Sequence, residues 1–149
     1  MPDIEITRLG QNDAAILDAV ADDVFDGPVD ARRLAAYLAA PGHHMIVAIH
    51  DGIVVGQTAA VVHRHPDKPT ELYIDEVGVA PAYRRQGIAR RMLEAMFRLG
   101  KAIGCEEAWV GTEPDNLPAR GLYEQLRAEG DDEAEPFAMF VFRLRASAG

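Results

Sequence analysis

The sequence predicts an α/β protein, one sheet with helices against it, in the order β-α-α-β-β-β-α-β-α-β. Three observations lead there. Short segments with period-two alternation or branched apolar runs recur between segments with helical spacing. The chain has 149 residues, 48% of them hydrophobic, enough for a full core in a single domain over 1–149. In its middle, a strand pattern ends at Pro81, passes through a basic glycine-containing loop and enters an amphipathic helix pattern.

The elements follow in order. Ile4 to Leu9 alternates apolar and polar, which reads as a strand. Asn12 or Asp13 can cap a helix carrying Ile16, Leu17, Val20 and Val24, broken by Gly27-Pro28. Asp30 can cap a second helix through Leu34, Tyr37 and Leu38, stopped by Pro41-Gly42. Met45 to Ile49 is a strand, His50-Asp51-Gly52 a hairpin turn, and Ile53 to Val62 the returning strand, with Gly56 placed for a bulge. His63 to Pro69 is a polar loop with two prolines. Glu71 to Val79 reads as a central strand, because its branched side chains leave little strict alternation. The next helix carries Ile88, Met92, Leu93, Met96, Leu99 and Ile103 and ends near Gly100 or Gly104. Glu107 to Thr112 is a strand, and Asp115 or Asn116 starts a helix with Ala119, Leu122, Tyr123 and Leu126. After a charged loop, Phe137 to Leu144 is expected to close the sheet as a last strand.

The formal charge is −9, which repels nucleic acid and anionic membranes and attracts cations. No basic stretch is interleaved with aromatics, so a nucleic-acid partner is not expected. No apolar run is long enough to span a bilayer, and the acidic start lacks the order of a secretory signal, so a cytoplasmic location is expected. Four of the fifteen basic residues stand between Arg84 and Arg91. That concentration suggests an anionic ligand at the loop and a cationic one elsewhere. Cys105, the single cysteine, reads as a buried small hydrophobe. Of the five histidines, His43 and His44 diverge if extended. His63 and His65 could share one face, but no third ligand has obvious spacing, so no metal is expected.

The loop has a chemistry of its own. Backbone N–H groups at a helix start lack partners within the helix, and the helix dipole adds partial positive charge. Arg84 and Arg85 add cationic donors, and Gly87 lets a ligand approach the backbone. Neither the Gly-Lys-Ser/Thr ending of a P-loop nor a three-glycine dinucleotide fingerprint is present. The spacing Arg84-x-x-Gly87-x-Ala89 resembles instead the pyrophosphate-binding motif of the GNAT superfamily of acetyl-CoA-dependent N-acetyltransferases. Asn116-Leu117-Pro118-Ala119-Arg120-Gly121-Leu122-Tyr123 is similar to that family's Asn-x-x-Ala-x-x-Leu-Tyr, and the element order matches over nearly the whole chain. Glu71 to Val77 and the divergent tail look like the aminoglycoside 3-N-acetyltransferase branch. One departure is clear: where relatives continue with Leu-Gly-Phe, this chain has Leu126-Arg127-Ala128-Glu129-Gly130.

The resemblance implies a GNAT fold, a mixed and mostly antiparallel sheet whose central strands, Glu71–Val79 and Glu107–Thr112, splay apart around CoA. It places Val77, Val79, Arg84, Arg85, Gln86, Gly87, Ile88, Ala89, Asn116 and Tyr123 at acetyl-CoA, with Asn116 equally readable as a helix cap. Arg90 and Arg91 are expected to be solvated helix residues. Gly78 either eases a bulge or allows close packing. Tyr123 is implied as the general acid. Asp75 and Glu76 are adjacent acids, expected on opposite faces of their strand. At least one, Glu76 ahead of Asp75, is expected to bind or deprotonate the amine, the other forming a strand-end salt bridge. Glu113 and Asp115 are weaker candidates that would also serve as caps. The implied activity is direct acetyl transfer to a primary amine on a small cationic acceptor, such as an aminoglycoside or polyamine-like compound. Acetylation of a protein N-terminus or lysine is the alternative within enzymes, and a non-catalytic acyl-CoA-binding module the alternative outside them. The family also brings a homodimer into view, in some members through shared last strands.

Overall fold

The computed structural model describes residues 3–145. They group into two compact units, one running to Gly111 and one from Thr112 onward.

The first unit is built on a five-stranded sheet in the spatial order β1 (Glu5–Arg8), β2 (His43–His50), β3 (Ile53–His63), β4 (Glu71–Val79), β5 (Glu107–Val110). The first four strands are antiparallel, and β5 runs parallel to β4. A parallel neighbour needs a crossover, supplied here by helix α2 (Ile88–Ala102). Its buried stripe of Ile88, Met92, Leu93, Met96 and Gly100 packs on β2, β3 and β4. Those strands bury Val47, Ala48, Val54, Val55, Leu72 and Ile74. At Gly100 an added Cβ would stand 2.8 Å from Leu72 Cδ2, so helix and sheet meet there closer than alanine would allow.

Local signals explain the joints. Asp30 caps helix α1 (Ala31–Ala39), its carboxylate accepting the Arg33 N–H at 2.8 Å. The β2–β3 turn holds both Asp51 and Gly52 at positive φ, 49° and 75°, the backbone of a tight hairpin whose twist suits the strands. A bulge lies beside Gly56: Ala48 pairs Gly56 and Ile49 pairs Val54, which leaves Val55 extra on β3.

The expected first helix is much shorter. Only Ala14–Asp18 coils, as a 3-10 turn. Beyond it, Val54 takes the backbone: its N–H donates to Ala19 C=O (2.8 Å), and its C=O accepts from the Ala21 N–H (2.9 Å). This strand-like pairing draws residues 19–21 alongside β3 and prevents a helix through Val20. Val24 is buried all the same, at 2% exposure.

In the second unit, helix α3 (Leu117–Gly130) is capped by Asn116, whose side chain accepts the Ala119 N–H at 3.3 Å. The expected closing strand does not form. Phe137 to Leu144 carry no strand pairing, and Phe137, Met139, Phe140, Val141, Phe142 and Leu144 are exposed. Strand propensity is a fit to neighbours rather than a backbone preference, and these residues have no ladder partner among the described residues.

Candidate active site

Strand β4 has a different neighbour at each end. Its pairing with β5 runs from Glu71 opposite Glu107 to Ile74 opposite Val110, and stops. From Asp75 to Val79 that side of β4 is bare of β5. At the same point the register with β3 slips: Ile74 faces Ala60 and Glu76 faces Ala59, so Asp75 is an extra residue, a β-bulge. The bulge lies at Asp75, not at Gly78. Gly78 serves close packing, because an added Cβ would stand 2.3 Å from the Val24 carbonyl oxygen.

The bare side exposes backbone donors. Ala80 N–H donates across to Val55 C=O at 2.8 Å. Strand alternation then turns Gly78 towards β3 as well, and turns Val77 and Val79 outward. Consistent with this, the outward Val79 C=O accepts from Arg84 Nε at 3.2 Å. The chain continues through a 3-10 turn, Pro81–Tyr83, into Arg84, Arg85, Gln86 and Gly87. Arg85 and Gly87 both have positive φ, 63° and 76°. Gly87 is the N-cap of α2, and no side chain caps that helix. The first N–H groups of Ile88, Ala89 and Arg90 are thus left to an external acceptor. A Cβ on Gly87 would meet nothing within 4 Å, so the space over the helix start is open. Gln86 Nε2 donates to Ala82 C=O at 3.4 Å, which holds the turn together. This cradle suits a phosphate or pyrophosphate.

Arg90 and Arg91 serve otherwise. Arg90 Nε pairs with Glu94 at 2.7 Å, and Arg91 donates to Ile4 C=O at 3.0 Å, tying α2 to the start of the chain.

At the bulge the acids gather. Two β4 residues oppose one on β3, so strict alternation lapses, and both carboxylates act on the phenol of Tyr37, whose pKa rises through burial first and then through Asp75 and Glu76. Burial raises the Asp75 carboxyl, with His43 opposing. Burial also raises Glu76, reinforced by the negative charges of Asp75 and Asp26. Among the described residues, neither acid forms a salt bridge. Thr58, fully buried, donates its hydroxyl to Glu76 C=O at 2.8 Å and fixes the backbone of the bulge. Tyr37 donates to His44 C=O at 2.8 Å and meets the His43 ring edge-on at 5.1 Å.

Tyr37, His43 and Asp26 were not singled out in the sequence. They come from α1, β2 and the loop before α1, and only the sheet register brings them to the acids. The one sequence signal was the density of Asp22, Asp23 and Asp26 before Pro28. These three line an open depression of about 490 Å³.

In the second unit, Tyr123 is half-buried, and burial raises its phenol pKa. Asn116 acts as the α3 cap, and Glu113 accepts the Asn116 N–H through its backbone C=O at 3.1 Å. Cys105 is half-buried, a little more open than expected, and burial pushes its thiol up. Trp109 stacks on Tyr73 with ring centroids 3.9 Å apart. Among the described residues, no helix is long and apolar enough to cross a membrane.

Comparison with known proteins agrees with this geometry. Residues 14–127 match the family model described as acetyltransferase (GNAT) family. A curated relative, aminoglycoside N(6')-acetyltransferase type 1 of Salmonella typhimurium, is 27% identical over 88 residues, covering 56% of this chain and 60% of its own length. Among solved structures, an aminoglycoside acetyltransferase from an uncultured soil metagenomic sample, in complex with sisomicin, aligns with a TM-score of 0.78 at 21% identity, over 95% of this chain and 97% of that one. The aminoglycoside N-acetyltransferase AAC(6')-Iy, in complex with CoA, aligns with a TM-score of 0.70 at 18% identity, over 97% of both chains.

Proposed function

Because this chain belongs to the GNAT family of acetyltransferases, we propose that residues 1–149 act as one catalytic domain that moves an acetyl group from acetyl-CoA directly to a primary amine. The acceptor is a small cation such as an aminoglycoside or a polyamine-like compound. One observation carries the reading. β4 loses β5 at Ile74, bulges at Asp75, turns Val77 and Val79 outward and leads through residues 80–87 to the uncapped start of α2. Anion cradle, backbone donors and acids are thereby strung along a single strand and the turn that leaves it.

The residues fit acetyl-CoA. The N–H groups of Gly87, Ile88 and Ala89 and the charges of Arg84 and Arg85 would hold the diphosphate, with Gln86 shaping the turn. Val77 and Val79 would hydrogen-bond the pantetheine arm and the acetyl carbonyl, whose oxygen gains charge as the tetrahedral intermediate forms. Asn116 would stand near the arm as well as capping its helix.

An amine attacks only as the free base. Glu76, with Asp75 and Asp26 beside it, would attract the ammonium form and then accept its proton. A carboxyl held above its usual range is a better base for that step than an ordinary one. The nitrogen then forms its bond to the acetyl carbon, the carbon–sulfur bond breaks, and the nitrogen sheds its second proton, which would replace the one that Tyr123 gives up. Tyr123 would give its phenol proton to the departing thiolate. A thiol of ordinary pKa, about 8.5, is a stronger acid than a phenol near 10, so this transfer is uphill by itself and would be drawn forward by the proton that the nitrogen returns to the phenolate. The relatives named for aminoglycosides and the acids at the bulge support a small cationic acceptor.

A thiol-release screen over aminoglycosides, polyamines, free amino acids and peptide N-termini tests the proposal. Release that saturates with an aminoglycoside or polyamine is the expected result. Saturation only with peptides would move the acceptor to proteins, and acetyl-CoA binding without release to any amine would leave a binding module.

A further inference from the structure

At the opposite end of β4 from the proposed acetyl-transfer site, three side chains converge that this activity does not use. His63 closes β3, and its register partner across the antiparallel pair is Glu71, the first residue of β4. Register partners share a face. His65 follows two residues after His63, where the chain has left the strand, and its ring comes back over the first, with centroids 4.2 Å apart. One ligand atom from each of His63, His65 and Glu71 lies within 4.8 Å of the others.

The sequence lacked a third ligand because Glu71 is six residues beyond His65; the hairpin register supplies it. His65 Nε2 is buried, makes no hydrogen bond and lies 3.5 Å from Glu71 Oε2. That spacing nearly equals the roughly 3.3 Å between two ligands on a tetrahedral ion with bonds of about 2.0–2.1 Å. The loop is stiff where it matters. Pro66 biases His65 towards extended backbone, and Pro69 limits the chain again before β4. Glu107 stands opposite Glu71 in the parallel β4–β5 pair and adds a second negative charge to the neighbourhood. Arg64, between the two histidines, acts on the Cys105 thiol.

We propose that His63, His65 and Glu71 form a divalent transition-metal site, best matched to zinc, that clasps the β3–β4 loop. Two imidazoles and a carboxylate, with water in the fourth position, are a donor set zinc accepts. Softer or harder ions fit less well: no thiolate is in the set, and a single carboxylate is too few for calcium. The site lies about 26 Å along β4 from Val79, at about 3.3 Å per residue. It is a structural clasp and takes no part in acetyl transfer.

The test uses the full chain, stripped with chelator, and zinc alone. Calorimetric titration should show saturable binding of one zinc per chain, unmoved by excess magnesium. Cobalt in place of zinc should give the visible absorption of a tetrahedral site. His63→Gln, at an exposed position, and Glu71→Gln should each weaken zinc binding by at least the roughly 10–100-fold that even an outer-shell loss costs. Cys105→Ser should leave binding intact. Absence of saturable one-to-one binding, retention of it by both ligand variants, or its loss in Cys105→Ser would overturn the assignment. None of these readouts involves acetyl-CoA, so they stand apart from the transferase reading.

Discussion

Gly78→Ala should damage stability and acceptor binding together, through a carbonyl that belongs to neither ligand site. The added Cβ would lie 2.3 Å from Val24 oxygen and 3.3 Å from Val24 carbonyl carbon. Ordinary contact begins near 3.4 Å, so the Val24 backbone must retreat by about 1 Å. That carbonyl also accepts from Gln57 Nε2 at 3.3 Å, and Gln57 is 2% exposed with its Oε1 already unpartnered. Overpacking of this kind costs about 1–3 kcal/mol, and the stretched hydrogen bond about 1 kcal/mol more. A loss of roughly 2–4 kcal/mol is a large share of a domain's usual 5–15 kcal/mol.

Urea unfolding reads that cost as a midpoint lowered by about 1–2 M, with the slope unchanged. The functional cost follows from the chain itself. Asp26 is two residues beyond Val24, and its charge reaches Glu76. A displacement of about 1 Å near a reacting centre can cost up to about a hundredfold in rate, so the amine KM should rise while acetyl-CoA affinity barely moves. A variant with an unchanged urea midpoint would refute the packing role of Gly78. A variant that is destabilised yet binds amine normally would refute the coupling of Val24 to the acceptor site.

Other changes separate the parts of the site. Gly87→Ala meets no atom within 4 Å, but alanine at φ 76° costs about 1–2 kcal/mol; calorimetry should show weaker acetyl-CoA binding and unfolding a smaller midpoint shift than Gly78→Ala. Glu76→Gln should lower kcat by about 10²–10⁴-fold, read by thiol release at saturating amine. Its stability effect has the opposite sign. The folded-state pKa of Glu76 is raised, so between its unfolded value near 4.3 and that raised value the native chain holds the extra proton, and stability falls as pH rises through the window. Melting curves of Glu76→Gln should lose that fall and lie at or above the parent at neutral pH. Tyr123→Phe should lower kcat and spare acetyl-CoA affinity; unchanged turnover in thiol release would remove Tyr123 from the chemistry.

What the sequence made legible was local. The Asp30 cap, the Asp51-Gly52 turn and the path from Val79 through Gly87 into α2 each depend on a few neighbouring residues, and each forms as expected. What it hid was set by register. The extra residue at Asp75 exists only because Ala59 and Ala60 pair with Glu76 and Ile74, and no periodicity within β4 reveals that slip. Tyr37 on α1 and His43 on β2 reach the acids from other elements. Val20 and Val24 kept a helical spacing, yet the free backbone of Val54 offered hydrogen bonds that a helix over those residues would forgo. The tail from Phe137 shows the converse, strand-like residues without a ladder.

The bulge and the end of the β4–β5 pairing explain one another. A bulge increases local twist and bends its strand, and a strand that bends at Asp75 cannot keep a parallel neighbour beyond Ile74. The opening of the sheet and the bulge thus meet at one place, an inserted residue beside a backbone held by the Thr58 hydroxyl. Half-burying Glu76 beside the negative charges of Asp75 and Asp26 opposes folding, since desolvation and those charges raise its carboxyl. An ammonium ion at the bulge would relieve that cost, whereas water alone leaves it. The chain carries −9 overall and could not draw an anionic donor by net charge. Arg84 and Arg85, just past the turn that leaves the same strand, reverse the sign locally. With about 13 Å of β4 between Asp75 and Val79, at about 3.3 Å per residue, opposite charges are drawn to the bulge and to the turn beyond the strand's end. Donor and acceptor can thus be aligned by the strand itself, without a hinge.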